Sequence, residues 1–247
     1  WAINKDKDLT FTNKLYASEN PLFLGEYRQA LKNSNLIFDF GYTEGYKKTS
    51  DVKISGQKNH FFSKFVKNFS NINKNSESTL SLTTQVSNND KYFKLYKIDT
   101  ELVDSDIDNL ENNLNFTYSN DEFFFDLNMS MYETLKNDYN DKYEYIYPEI
   151  TFNKNLLSDP IIGVIDLDTN LKVHHFDTNK TSKFLVNNLE WNSISKSFNS
   201  GIQTNLLGNL KNINYETKNI DKFKREPTTE MFGALGFLSK IDLYKKI

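Results

Sequence analysis

Asp104, Asp106 and Asp108 form a D-x-D-x-D pattern whose carboxylates could bind a hard cation such as calcium. The calcium-loop pattern requires Gly at its sixth position and Glu at its twelfth. This sequence has Asn109 and Asn115 there. We therefore expect a solvated acidic loop at these positions, and no metal site.

The histidines offer little acid-base chemistry. His174 and His175 are adjacent, so on a strand they face opposite sides and cannot bind one ion together, and a loop or a strand end suits them better. His60 stands alone, without an acidic residue at a spacing that indicates a catalytic triad. The chain has no Cys, no nucleophile elbow and no phosphate-binding loop. We predict that the protein is not an enzyme and has no catalytic, cofactor-binding or metal-binding residues.

Glu26 and Arg28 are two residues apart, which places them on the same face of a strand. A charge on the lipid-facing side of a membrane strand costs about 2–4 kcal/mol near the middle of the bilayer. We therefore predict that the two residues form an ion pair on an inner, polar face.

These residues belong to segments in which apolar and polar side chains alternate. Because successive side chains of a strand point to opposite faces, this period of two predicts strands with one polar and one apolar face. In the clearest case Phe123, Phe125 and Leu127 alternate with Asp126 and Asn128. The pattern predicts an all-β, antiparallel fold of roughly 12 or more strands. The segments are 9–15, 22–31, 36–43, 61–69, 80–86, 114–118, 123–131, 143–152, 161–167, 171–176, 184–191, 202–207 and 231–238.

The connections between these segments are turn-forming, and some are long, such as 47–58, 98–109 and 213–229. Alternating short and long connections are typical of transmembrane barrels. Pro148 is expected at a strand start or a bulge. Tyr143, Tyr145 and Tyr147 share one face, as in an aromatic belt at a membrane surface.

Composition narrows the class of protein. The mean hydropathy of -0.64 does not exclude a membrane, since barrel strands alternate apolar and polar residues. No apolar run approaches the roughly 18–20 residues of a membrane helix. A net charge of -3 with mixed Lys and Asp argues against nucleic acid as a partner. A partial transmembrane barrel and a soluble β-rich binding protein remain, and the many strands with polar inner faces favour the barrel.

Several short motifs occur in an order that resembles one family. The first motif runs from Trp1 to Asp8-Leu9-Thr10. The next predicted strand contains Gly25-Glu26-Tyr27-Arg28, and Lys58 to Phe62 is an aromatic strand motif. Ser87 to Phe93, Tyr147-Pro148-Glu149 and Glu226 to Phe237 follow. In this order the motifs resemble the barrel of the lipopolysaccharide-assembly family LptD, also called the organic solvent tolerance family, and the resemblance spans essentially the whole chain.

The resemblance implies that residues 1–247 are the amino-terminal part of an outer-membrane β-barrel domain in a Gram-negative cell. It implies transport of lipopolysaccharide to the outer leaflet by a translocon that includes the plug lipoprotein LptE, the periplasmic bridge protein LptA and outer-membrane lipid. The chain opens on Trp1 without a signal peptide, so we expect the export signal upstream. A porin-like or receptor barrel for small solutes, or a soluble surface-binding protein, is the alternative.

Overall fold

A computed structural model describes residues 1–50, 53–70, 75–136 and 141–241. These residues form one antiparallel sheet of fourteen strands and one short helix, α1 (Tyr92–Tyr96). The first seven strands are β1 (Ala2–Asn4), β2 (Lys7–Lys14), β3 (Leu22–Leu31), β4 (Ser34–Ser50), β5 (Lys53–Ser70), β6 (Glu77–Ser87) and β7 (Asn109–Ser119). The others are β8 (Phe123–Thr134), β9 (Tyr143–Asp159), β10 (Gly163–Phe176), β11 (Lys180–Asn192), β12 (Lys196–Ser197), β13 (Ile202–Lys218) and β14 (Thr228–Ile241).

The strands follow one another across the sheet in chain order from β1 to β11. β13 then pairs with β11, with the two-residue strand β12 and with β14. This confirms the predicted all-β antiparallel class. Within the described residues, no helix has the length and apolar character needed to cross a membrane.

Four local predictions are wrong in whole or in part. Segments 161–167 and 171–176 form the single strand β10, because Asp168, Thr169 and Asn170 continue the ladder instead of turning. The polar stretch 47–58 is not a long loop, since β4 extends to Ser50 and β5 begins at Lys53, while residues 51–52 lie outside the described residues. The connection predicted at 213–229 is shorter, because β13 extends to Lys218. Pro148 lies inside β9 and therefore does not mark a strand start, while the alternative of a bulge stays a prediction.

The chain divides into two compact units. The first comprises Trp1–Phe116, Asn128–Ile146 and Phe176–Thr178, and the second comprises Thr117–Leu127, Tyr147–His175 and Asn179–Ile247.

In the first unit the strand register sorts side chains onto two faces. One row of paired residues crosses β2 to β6 on the apolar face: Phe11, Gly25, Phe40, Phe61 and Val86. The neighbouring row lies on the polar face: Thr10, Glu26, Asp39, Phe62 and Gln85. The large apolar-face side chains are exposed, with Phe11 at 59% and Val86 at 52%. The predicted alternation is therefore a real separation of faces.

In the second unit β11, β13 and β14 show the same separation. Trp191, Gly208 and Leu235 are paired across the three strands on one face, and Leu235 is 88% exposed. On the other face the Asn209 amide donates a hydrogen bond to Asn188 Oδ1 over 2.7 Å. Exposed apolar and hydrogen-bonded polar faces thus occur in both units.

The apolar core of the first unit lies on the polar face, where a connecting segment covers the strands. Its buried residues are Leu22, Leu24, Phe62, Tyr92, Phe93, Tyr96, Ile98, Val103, Leu110 and Leu135. Half of them belong to residues 92–103, between β6 and β7. This segment is central to the candidate site.

Candidate functional site

Residues 88–108 connect β6 to β7 and fold onto the polar face of the first unit; we call this segment the strap. Asn88 fixes its start: the Asn59 amide donates to Asn88 Oδ1 over 2.9 Å, and Asn88 Nδ2 donates to the Gln57 carbonyl over 3.1 Å. α1 follows, and its carboxyl-terminal cap, Lys97, has a left-handed backbone with φ of 46°. The strap therefore enters the polar face at a defined point on β5.

Aromatic packing seats the strap on the strands beneath it. Phe93 contacts the rings of His60 and Phe62 on β5, both at a centroid distance of 5.3 Å. Tyr92 lies 5.5 Å from the His60 ring and is fully buried. Burial of an apolar side chain contributes about 1.5–3 kcal/mol, so these two residues can hold a helix too short to be stable alone.

A buried, hydrogen-bonded pair of His60 and Asp39 lies directly under α1. His60 Nε2 and Asp39 Oδ1 are 2.6 Å apart, and their side chains are 0% and 1% exposed. The interpretation of His60 as lacking an acidic partner is therefore wrong. The two residues are 21 apart in sequence, but the pairing of Gly41 with His60 and of Asp39 with Phe62 makes them diagonal neighbours on adjacent strands.

Gly41 makes room for this pair. A Cβ at position 41 would lie 2.5 Å from His60 Cε1 and 2.7 Å from the Tyr92 hydroxyl. Among the described residues, Asp39 Oδ2, His60 Nδ1 and the Tyr92 hydroxyl have no hydrogen-bond partner. Burial raises the pKa of the Tyr92 hydroxyl, which keeps it protonated. The rings of Phe62, Tyr92 and Phe93 pack around His60, and the His60–Asp39 pair is thus shielded from solvent.

Arg28 organises a second, more open cluster on the same face. Its guanidinium lies 2.9 Å from Asp8 on β2, 3.5 Å from Glu26 on its own strand and 3.4 Å from Glu101 of the strap. The predicted pair of Glu26 and Arg28 is confirmed, whereas Asp8 and Glu101 were not predicted as its partners. The Arg28 side chain is 43% exposed, so solvent screens these pairs and they orient the strap more than they stabilise it.

A polar cavity of about 350 Å³ lies between the strap and β2 to β4. Its lining includes Thr10, Glu26, Arg28, Asp39 and Glu101. A larger depression of about 520 Å³ shares Arg28 and Glu101 and extends to β1. Threonine hydroxyls, carboxylates and a guanidinium together can donate and accept hydrogen bonds to water or to a polar ligand.

The acidic loop forms the end of the strap. Asp108 lies 2.7 Å from Lys94 and 3.5 Å from Lys136, and the nearby Lys94 holds the pKa of the Asp108 carboxyl below its usual value. Asp104 Oδ1 accepts the Asp106 amide over 2.9 Å. In the part of the chain that the structure describes, no group of three or more His, Cys, Asp or Glu residues could hold a metal ion.

The remaining sequence candidates lie on β9 and β10. His174 and His175 are at the end of β10, as expected of a strand-end pair. His175 Nδ1 is 3.1 Å from Thr181 Oγ1, and its ring is 6.0 Å from that of Tyr147. The rings of Tyr143 and Tyr145 stack at 6.4 Å. These residues pack with their neighbours along the sheet.

No protein-family model matches this chain, and no curated protein matches its sequence.

Proposed function

We propose that this chain forms part of the wall of an outer-membrane β-barrel that transports lipopolysaccharide to the outer leaflet. One observation carries the proposal: motif residues that are far apart in the sequence meet on the polar face of the first unit. Asp8, Glu26 and Arg28 form the open cluster there. His60, from the aromatic strand motif, packs against Tyr92 and Phe93 of the Ser87 to Phe93 motif.

The separation of faces supports a membrane location. Phe11, Phe40 and Phe61 are exposed on β2, β4 and β5, in one row of paired residues that crosses five strands. In water this row would be part of a large exposed apolar patch, which soluble proteins rarely have. Charged side chains gather on the opposite face. This arrangement suits a wall with lipid on one side and a polar interior on the other.

The proposal includes the partners that the resemblance implies. Lipopolysaccharide would be the cargo, with LptE as the plug lipoprotein and LptA as the periplasmic bridge protein, and outer-membrane lipid would cover the apolar face. The polar cavities beside Arg28 suit sugar hydroxyls better than acyl chains. The role is transport, without a catalytic step.

Depletion of the full-length gene tests the cargo. We expect lipopolysaccharide at the cell surface to fall as the protein disappears, and to return when the gene is restored. Unchanged surface lipopolysaccharide after complete depletion would refute the proposal.

Purification tests the porin-like alternative. We expect the full-length protein to copurify with a plug lipoprotein and to conduct ions poorly in planar bilayers. Large, stable conductance without a copurifying lipoprotein would favour a solute channel instead.

A further inference from the structure

The cavity between the strap and β2 to β4 has more acidic than basic side chains in its wall. Its volume of about 350 Å³ is at the lower end of the usual range for small-molecule sites. Four carboxylates and two basic side chains line it: Glu26, Asp39, Asp99 and Glu101, with Lys14 and Arg28. A positively charged ligand therefore suits this wall better than an anion does.

Two of the carboxylates lie directly opposite each other. Glu26 on β3 is paired with Asp39 on β4, and the register places both side chains on the polar face. Directly opposed residues of an antiparallel pair have Cβ atoms about 5 Å apart, and like charges at such positions destabilise the sheet. A cation bound between the two side chains would offset this repulsion.

The basic side chains of the wall are already engaged with other groups. Lys14 Nζ donates a hydrogen bond to the Lys97 carbonyl over 2.8 Å. Arg28 shares its single charge among three carboxylates, those of Asp8, Glu26 and Glu101. Its contact with Glu26, at 3.5 Å, is longer than that with Asp8, at 2.9 Å. The cluster around Arg28 thus has a surplus of negative charge.

Asp39 has a buried acceptor atom that no described residue satisfies. Its side chain is 1% exposed, and Oδ1 lies 2.6 Å from His60 Nε2. Among the described residues, Oδ2 has no hydrogen-bond partner. A buried oxygen without a donor is unfavourable, and more so when it is charged. Because Asp39 also lines the cavity, an N–H group of a ligand there would supply the donor.

The lining favours an organic cation over a metal ion. No group of three or more His, Cys, Asp or Glu residues within the described ranges could hold a metal ion. Thr10 and Thr12 add hydroxyl groups to the wall, and Leu24 adds an apolar side chain. A primary ammonium group donates three hydrogen bonds, and a short aliphatic chain attached to it would contact Leu24.

We propose that this cavity binds a small aliphatic diamine, with one ammonium group held between Glu26 and Asp39. The strap supplies the other wall of the site through Asp99 and Glu101, and the Glu101 amide donates to Glu26 Oε2 over 3.3 Å. This binding function goes beyond the transport role and does not depend on the cargo.

Calorimetric titration of the full-length protein with 1,4-diaminobutane tests the site. We expect saturable binding to one site per chain. 1,4-Butanediol has the same carbon chain with hydroxyls in place of the ammonium groups. It should bind at least about tenfold more weakly, because charge-assisted hydrogen bonds to the carboxylates are lost. Absence of diamine binding, or equal binding of the two compounds, would overturn the proposal.

Two substitutions locate the bound cation. Glu26→Gln and Asp39→Asn each remove one negative charge and keep the size of the side chain, so the dissociation constant should rise about tenfold or more in each variant. The matched control is Glu216→Gln, which removes an exposed carboxylate in the second unit and should leave the affinity unchanged.

A third substitution covers the case in which Asp39→Asn does not fold. Glu101→Gln changes a side chain that is 48% exposed, and it should raise the dissociation constant about threefold. Anionic lipid that copurifies with the protein also binds diamines, but that binding would not respond to substitutions in the cavity. Native affinity in both Glu26→Gln and Glu101→Gln would therefore refute the site.

Discussion

His60 and Asp39 are polar, hydrogen-bonded side chains that are buried from solvent. Removing one partner of such a pair leaves the other buried without compensation. We expect Asp39→Ala to lower the free energy of unfolding by about 3 kcal/mol, measured by denaturant titration of the full-length protein. Lys183→Ala breaks an exposed pair with Glu216, whose side chains are 48% and 52% exposed, and should cost less than about 1 kcal/mol.

The double variant Asp39→Leu with His60→Phe sharpens this prediction. Replacing both members of a buried pair by apolar residues of similar volume is often neutral. The double variant should therefore be more stable than Asp39→Ala. Equal losses in both variants would mean that packing, and not the unpaired His60, accounts for the cost.

Gly41 gives a steric prediction. The Cβ of Gly41→Ala would meet His60 Cε1 at 2.5 Å, so the ring must move inside a packed core. We expect a loss of about 1–3 kcal/mol in the free energy of unfolding. Gly233→Ala is the control, since its Cβ would have Leu210 Cδ1 at 3.9 Å as its nearest atom. Equal tolerance of both substitutions would contradict the close approach.

Of the two residue pairs in the site, one could be predicted from the sequence. Glu26 and Arg28 could be paired because two residues on one strand share a face. The partner of His60 could not be assigned, because it depends on the register between β4 and β5. A signal was nevertheless available: Asp39 lies at a polar position in one predicted strand, and His60 directly precedes the next predicted strand.

Among the elements, the strap carries a pH dependence of its own. Lys94 lowers the pKa of Asp108, and the Ser105 amide lowers the pKa of Asp99, both from a usual value of 3.8. A carboxyl with a lowered folded pKa stabilises the folded form above its unfolded pKa, and this contribution disappears as the pH falls through the folded value. Acid should therefore weaken strap docking below about pH 4.

Limited proteolysis of the strap by pepsin at pH 3.8 and at pH 2.5 measures this effect. We expect cleavage within 97–108 to increase at the lower pH more than cleavage of β5 does. The variant Asp99→Asn with Asp108→Asn should already be cleaved readily at pH 3.8, with a smaller further change. The same pH response in this variant as in the native chain would refute a role for the two carboxyls.

Most strands were predictable because a period of two repeats over much of their length, whereas the two shortest, β1 and β12, were not predicted. The helix was not, since five residues complete little more than one turn and show no apolar stripe. Its position on the polar face was also hidden: Tyr92 and Phe93 look like strand residues until the core beneath them is known. The long β4–β5 hairpin escaped prediction because its polar residues resemble loop residues.

For the molecule as a whole, the central question is what faces the aromatic row. Phe11 and Thr12 are neighbours on β2 and point to opposite faces. If lipid covers the apolar face, Phe11→Arg should cost about 2 kcal/mol or more near mid-membrane and reduce the folded protein in the outer membrane. Thr12→Arg should have little effect. Similar yields of the two variants in membrane fractions would indicate that water meets both faces.

The alternation was sufficient to predict a large two-faced sheet, because it reports directly on what each face contacts. It cannot identify a cargo, since any transmembrane barrel shares it. The proposal of lipopolysaccharide as the cargo rests only on the short motifs. Residues of several of these motifs lie together around Arg28 and His60, which gives the proposal a structural basis that no single motif had.

The strap also constrains the order of events during folding. Lys14 and Lys97 are 83 residues apart in sequence, so their contact closes a long loop and costs more chain entropy than the pairing of β2 with β3. We therefore expect the β2–β3 hairpin to form early and the strap to dock on it late. A folding intermediate with an undocked strap would expose the rings of Tyr92 and Phe93, which are buried in the folded protein.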